Sequence, residues 1–208
     1  MTNAAAFWDR LAASYAKKPV ADPDAYERTL DRVRAHLTPR ARVLELGCGT
    51  GTTALKLAAS AGALLATDYS AEMIAIATEK ARAERVTNVT FRTATLDDGA
   101  LAAEPFDVVL AMNFLHLLAD LPARFARIRE LLRPNGLFIS KTPCVGDQGL
   151  APRVAIPLMR AVGRAPYVNF VTERSLSSDL AAAGFAVEET GMYPKKTRSF
   201  FVVARRVG

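Results

Sequence analysis

Short apolar runs alternate along the chain with segments whose apolar residues recur three and four positions apart. Residues 6–18 (AFWDRLAASYAKK) and 24–37 (DAYERTLDRVRAHL) have helical spacing with no internal Gly or Pro, predicting two N-terminal helices. The run 41–46 (ARVLEL) is apolar, closed by Gly47, and reads as a buried strand. Residues 52–60 return to helical composition, and 63–67 (ALLAT) predict a second strand that ends at Asp68. Ser70 is placed to cap a helix running over AEMIAIATEKARAE, with Glu72 in its first turn and Lys80 to Arg85 in its last. Asn88 opens a third strand (VTFRTA), and 106–112 (FDVVLAM) form a fourth. Residues 121–132 predict an amphipathic helix stopped by Pro134-Asn135-Gly136, and 137–142 (LFISKT) a fifth strand.

Strands that alternate with helices of this length imply parallel pairing with right-handed crossovers. The near-continuous apolar strands agree, because a parallel sheet is buried on both faces. The fold class expected is α/β: a doubly wound, mostly parallel, Rossmann-like sheet with helices on both faces. Beyond Thr142 the pattern loosens. Residues 143–170 hold four prolines and four glycines or asparagines, with one short helix expected from Ile156, where Pro157 takes the first turn. Arg160 and Arg164 then share a face at i, i+4. Order resumes with TERSLSSDLAAAGF, capped by Thr172 and stopped by Gly184. FAVEET and SFFVVARR finish the chain as strands, with about eight residues between them. That is too few for a helical crossover, so an antiparallel C-terminal strand pair is expected.

At 208 residues the chain suits one domain. The expected division is N-terminal helices over 1–40, a core over 41–142, an insertion over 143–170 that covers the substrate, and a C-terminal helix and strand pair over 171–208. Half the residues are hydrophobic and 23% charged, which excludes a disordered or fibrous chain. The longest stretches without a charge, Leu57 to Thr67 and Val108 to Ala119, are far shorter than the roughly 20 residues that span a bilayer. Asp9 interrupts the N-terminus before a secretory apolar core forms, and two cysteines, Cys48 and Cys144, make no disulfide framework. A cytoplasmic location is expected.

The net charge is +6, with 27 Lys+Arg against 21 Asp+Glu. Residues 1–132 hold 16 of each sign, so the whole excess lies in the last third. Basicity of this size raises an anionic partner, nucleic acid or an anionic surface.

The chemistry concentrates in VLELGCGTG, residues 43–51. A strand delivers Glu45 and three alternate glycines, Gly47, Gly49 and Gly51, to a turn, and a helix begins at once. Such glycines permit positive φ and close approach of a ligand to the backbone. A dinucleotide fingerprint, G-x-G-x-x-G, fails from Gly47 at Thr52 and survives only in degenerate form from Gly49. The Gly-Lys-Ser/Thr of a triphosphate loop is absent.

These residues resemble the class I S-adenosylmethionine-dependent methyltransferases, in particular the small-molecule branch of ubiquinone/menaquinone C-methyltransferases. The resemblance runs over nearly the whole chain: FWDRLAASYAKK, VLELGCGTG, ATDYSAEMIAIA, FDVVLAMNFLHLL, LLRPNGLFISKT and TERSLSSDLAAAGFAVEE. It implies S-adenosyl-L-methionine as cofactor and a small-molecule methyl acceptor as partner. It further implies that the Gly47–Gly51 loop passes the methionyl end, with Glu45 near its ammonium, and that Asp68 binds the ribose hydroxyls. Tyr69 and Met73 would sandwich the adenine, and Ala111, Met112 and Asn113 would face the methionyl chain. The family's usual Gly-Asp-Ala after the third strand is replaced by Ala94-Thr95-Leu96, leaving Thr95 and the Leu96 backbone, or else Asp97 or Asp98, for the adenine edge.

No catalytic residue is assigned. His116, just beyond the fourth strand, is a candidate base, though a helix residue satisfied by a neighbour is the commoner case; Tyr15 and Tyr193 are further candidates. Cys48 reads as a buried filler, and no metal site is expected. The apolar insertion with Arg153, Arg160 and Arg164 suggests a lid for an apolar, anionic acceptor, and peripheral membrane contact is left open. Nucleic acid is disfavoured, because no aromatic-basic recognition module and no base-methylating motif is present. A dinucleotide-dependent oxidoreductase and a cofactor-binding protein without activity stay open as alternatives, as does the oligomeric state.

Overall fold

The computed structural model describes residues 2–193 and 198–208. Its strands are β1 (Arg42–Leu46), β2 (Ala63–Asp68), β3 (Val89–Thr93), β4 (Phe106–Met112), β5 (Leu132–Pro143), β6 (Phe185–Met192) and β7 (Ser199–Arg206). They form one sheet in the order β3-β2-β1-β4-β5-β7-β6. The first five pair in parallel, and β7 enters antiparallel between β5 and β6. The strand order reverses between β1 and β4, so a crevice opens at their carboxyl ends.

The helices are α1 (Thr2–Ala16), α2 (Pro23–Arg34), α3 (Thr52–Leu57), α4 (Ala71–Ala83), α5 (Leu121–Leu131), α6 (Leu150–Ala161) and α7 (Glu173–Ala182). Alternation along each strand divides the core into two layers. Val43, Leu64, Val108, Leu110, Ile139, Phe201 and Val203 face Leu30 and Val33 of α2, Ala54 and Leu57 of α3 and Ile74 of α4. Leu44, Val109, Phe138, Phe200 and Val202 face Phe125 and Ile128 of α5 and Leu176 and Leu180 of α7. Phe106, Phe125, Phe138 and Phe201 are fully buried, each contributing about 1.5–3 kcal/mol.

Local signals fix the helix ends. The Asp22 carboxylate accepts the Ala25 N–H at 2.9 Å, with Pro23 opening α2. The Ser70 hydroxyl accepts the Met73 N–H at 3.2 Å, and Thr172 and Ser175 form a reciprocal capping box on α7. Gly184 leaves α7 at φ +81°.

Three expectations are corrected. β5 begins at Leu132, not 137: Leu132 pairs with Phe106 and Leu137 with Val108, so residues 133–136 bulge out of a continuing strand. Asn135, at φ +62°, makes that bulge, and the Pro-Asn-Gly signal marks it rather than a loop between elements. The insertion helix begins at Leu150, capped by Gly149, and Pro157 stands inside it rather than in its first turn. The same helix ends at Ala161. Gly163 takes φ +70°, the Gly163 N–H bonds Arg160 O at 3.0 Å, and the Arg164 N–H bonds Met159 O at 2.8 Å. This glycine-led stop carries Arg164 off the helix, so it shares no helical face with Arg160.

Candidate functional site

A cavity of about 360 Å³ opens at the carboxyl ends of β1, β2, β4 and β5, where the strand order reverses. Its floor is the glycine loop. Gly47, Gly49 and Gly51 take φ of +65°, +53° and +76°, so all three need the left-handed region. The loop is pinned by Cys48 N–H to Thr67 O at 2.9 Å. Lys80 of α4 adds a clamp, its ammonium reaching Thr50 O at 3.0 Å and the Thr50 hydroxyl at 3.1 Å. A Cβ at Gly49 would meet nothing closer than Tyr15 at 3.9 Å, so the backbone there is bare toward the cavity.

Two carboxylates stand over this floor. Asp68, at the end of β2, accepts the Gly49 N–H at 3.0 Å on one oxygen and the Ser70 N–H at 2.9 Å on the other. Burial lifts its pKa, against the pull of those backbone donors. Glu45 is 2% exposed, and one of its oxygens has no partner among the described residues. Burial, then the charge of Asp68, push it up to about 8, opposed by a hydrogen bond from the Ala54 N–H.

The remaining walls come from several elements. Tyr69 and Met73 line one side, the Tyr69 hydroxyl taking a hydrogen bond from the Trp8 indole. Met112, Asn113 and Phe114 line another, with Asn113 held at φ +55° and its N–H on Lys141 O at 2.7 Å. Tyr26 of α2 bonds the Thr53 hydroxyl at 3.0 Å, and burial pushes its phenol up to about 12. Lys141 of β5 completes the wall at 7% exposure.

Of the residues expected at a ligand, Glu45, Gly47, Gly49, Asp68, Tyr69, Met73, Met112 and Asn113 meet in this one cavity. Gly51, Thr95, Leu96 and Ala111 do not line it. Gly51 instead lets the loop turn into α3: a Cβ there would lie 2.7 Å from the Phe91 ring and 2.8 Å from the Ala77 Cβ. Leu96 is buried, its carbonyl taking the Arg127 Nε–H at 3.3 Å. Asp97 pairs with Arg124 at 2.5 Å and Asp98 bonds the Ala100 N–H, so both are engaged elsewhere.

His116 sits in a single 3₁₀ turn, outside the cavity lining, and its Nδ1 has no partner among the described residues. Among the described residues the expected neighbour does not reach Nδ1, and burial lowers the His116 pKa to about 4. The Cys48 thiol is held well above its usual range by burial. Nor does the insertion cover this cavity: Trp8, Tyr15, Ala16 and residues 18–21 overhang it, while no residue of 150–170 lines it.

Lys141, Trp8, Tyr26 and Phe114, which line the cavity, and Lys80, which clamps its floor, are not among the residues expected there. Lys141 had a readable signal, a lysine at the carboxyl end of a strand buried on both faces. The others had none: they reach the site from α1, α2, α4 and the β4 exit only through packing.

Residues 43–136 match the family profile described as a methyltransferase domain. The chain is 32% identical to a ubiquinone biosynthesis O-methyltransferase of Azorhizobium caulinodans, over 71% of this chain and 60% of that protein. Over residues 43–136 the chain is therefore similar to the methyltransferase-domain family. It spans about six-tenths of the length of the curated relatives it matches. Among solved methyltransferase folds, a putative methyltransferase from Bacillus halodurans C-125 superposes with a TM-score of 0.72 at 14% identity, over 90% of this chain and 100% of that one. The geranyl diphosphate C-methyltransferase of Streptomyces coelicolor A3(2), solved with S-adenosyl-L-homocysteine, superposes with a TM-score of 0.71 at 14% identity, over 88% and 79%.

Proposed function

We propose that the chain transfers a methyl group from S-adenosyl-L-methionine to a small, apolar organic acceptor, by in-line displacement. The observation that carries this reading is the unpartnered Glu45 oxygen, buried beside Asp68 above a bare glycine backbone. A buried carboxylate without a partner is costly, and a ligand ammonium is the group that satisfies it. The other donors fit the same molecule. Beyond the lone pairs that accept backbone N–H groups, the Asp68 carboxylate keeps acceptor capacity for a ribose hydroxyl. Tyr69 and Met73 supply an aromatic face and a thioether for a flat ring. Thr95 and the Leu96 backbone are assigned to the adenine edge, which brings them into contact only if the β3 exit closes over the bound ring.

When bound, S-adenosylmethionine supplies an electrophilic methyl group on a sulfonium. The residues of the chain then position and desolvate: Met112 and Asn113 hold the methionyl side, while Phe114 and Leu117 exclude water. No side chain is assigned as a base: His116 stands outside the cavity, and burial keeps the Tyr15 phenol that lines it protonated.

The chain acts as one methyltransferase domain, in a cytoplasmic setting that suits two buried free thiols. We assign α6 to peripheral contact with an anionic membrane surface. Leu150, Val154, Leu158 and Val162 recur at i, i+4 and are 63–78% exposed, flanked by Arg153 and Arg160.

Thermal shift tests the core reading. S-adenosylhomocysteine at a hundred times its Kd should stabilise the fold by roughly 2.7 kcal/mol, and NAD or NADP should not. No shift with S-adenosylmethionine or S-adenosylhomocysteine overturns it. Sedimentation with vesicles containing anionic lipid tests the α6 assignment.

A further inference from the structure

Lys141 is a buried cation with no ion-pair partner among the described residues. It is 7% exposed, at the carboxyl end of β5, in register with Met112 on β4 and Phe201 on β7. Its ammonium lies 5.7 Å from the centre of the Tyr26 ring. Among the described residues it makes no ion pair and no side-chain hydrogen bond; Asp22 acts on it only through longer-range charge. Desolvation accordingly lowers its pKa. Packing does not require a lysine here. Its own layer of the sheet is filled by Ile139, Phe201 and Val203, and the position lines the cavity rather than the core.

We propose that Lys141 anchors the methyl acceptor: its ammonium, walled by Tyr26 and Met112, holds a single ionised oxygen of an otherwise apolar molecule. This rests on the methyl-transfer reading of the cavity. The glycine loop, Glu45 and Asp68 occupy the β1–β2 side, whereas Lys141 stands two strands away, on the far side of Met112. A lone ammonium is a point charge. Among the described residues the cavity lining contains no arginine, and so offers no bidentate fork of the kind that favours carboxylate or phosphate. The neighbouring walls, Pro19, Val20, Tyr26, Leu30, Phe114 and Leu117, suit a flat apolar body. A weakly acidic hydroxyl on such a body is the group that matches one desolvated cation.

The test uses 4-nitrophenol, whose spectrum reports its ionisation, with S-adenosylhomocysteine present. The other ionisable groups around the cavity, among the described residues, are Tyr15 and Lys18 from the α1 end, Asp22 and Tyr26 from the start of α2, Glu45, Cys48, Asp68 and Tyr69. The carboxylates and the apolar walls all push a bound phenol toward its neutral form. Lys18 is shared by wild type and variant. In the wild-type protein, bound probe ionising at lower pH than free probe is therefore the result expected from the Lys141 ammonium. Bound probe ionising at higher pH, as desolvation alone dictates, overturns the proposal. Lys141→Met should weaken probe binding at least tenfold and abolish the ionisation shift, and Lys141→Arg should retain the shift. Equal affinity and an equal shift in wild type and Lys141→Met likewise overturn it. If S-adenosylhomocysteine fails to stabilise the wild type, the methyl-transfer reading falls separately, while the direction of the probe's ionisation still decides the role of Lys141.

Discussion

The Phe114 ring lies against Gly47 so closely that a Cβ on that glycine would sit 2.2 Å from Phe114 Cδ2. The β4 exit and the first glycine of the loop are thus one packed unit, and the glycine is needed twice over, for its φ of +65° and for the ring beside it.

Gly47→Ala should therefore cost about 3 kcal/mol, part from a left-handed alanine and part from the displaced ring. Urea denaturation measures it. Combined with Phe114→Leu, which removes the clashing edge, the loss should be smaller than the sum of the two single changes. Strict additivity would mean that the ring and the loop are uncoupled.

Asp68→Asn removes a charge but keeps one acceptor. Its amide must then face either the Gly49 N–H or the Ser70 N–H with a donor. We expect S-adenosylhomocysteine to bind at least tenfold more weakly, about 1.4 kcal/mol, with Asp68→Ala weaker still. Calorimetric titration decides this, and unchanged affinity would remove Asp68 from the ligand contacts.

The strand-helix alternation carried most of the fold, because a parallel sheet covered on both faces writes continuous apolar runs. The antiparallel pairing of β6 with β7 follows from the short connection between them. What was not legible depended on exceptions to those rules. A bulge and a loop share the signal Pro134-Asn135-Gly136, and only pairing with Phe106 and Val108 shows that β5 runs through it. Pro157 sits inside α6, where the exposed face tolerates the lost backbone bond that a buried helix would not. The site divides in the same way. Its β1–β2 half is contiguous in sequence and was readable as VLELGCGTG with Asp68. Its other half is assembled from α1, α2, β4 and β5 by tertiary packing. Lys141 was visible only as a lysine where the strand pattern asked for an apolar residue.

Burial holds His116 neutral, with its pKa lowered to about 4. An unfolded histidine titrates near 6.5, so the native state binds fewer protons between those values. Stability from this group is present above pH 6.5 and is lost as pH falls toward 4, a difference on the order of 3 kcal/mol. His116→Asn should flatten that acid limb of a Tm-against-pH curve. It should leave the pH dependence of S-adenosylhomocysteine binding unaltered, because His116 does not line the cavity.

Glu45 has the opposite sign. Its folded pKa, about 8, stands above that of an unfolded glutamate, so its contribution is intact below pH 4.5 and is lost as pH rises through 8. Above that value the free protein carries a buried, half-satisfied carboxylate, a penalty on the order of a few kcal/mol. Glu45→Gln should remove the penalty: at pH 9 the variant's Tm should exceed the wild type's by roughly 5–10 °C, and at pH 4 the two should coincide. Ligand affinity should move the other way. The glutamine cannot pair with an ammonium as a charge, so S-adenosylhomocysteine should bind the variant at least tenfold more weakly at pH 8, by about 1.4 kcal/mol. Gained stability with lost affinity is the signature of a carboxylate kept for a ligand. A variant that loses stability at pH 9 would show instead that Glu45 supports the fold.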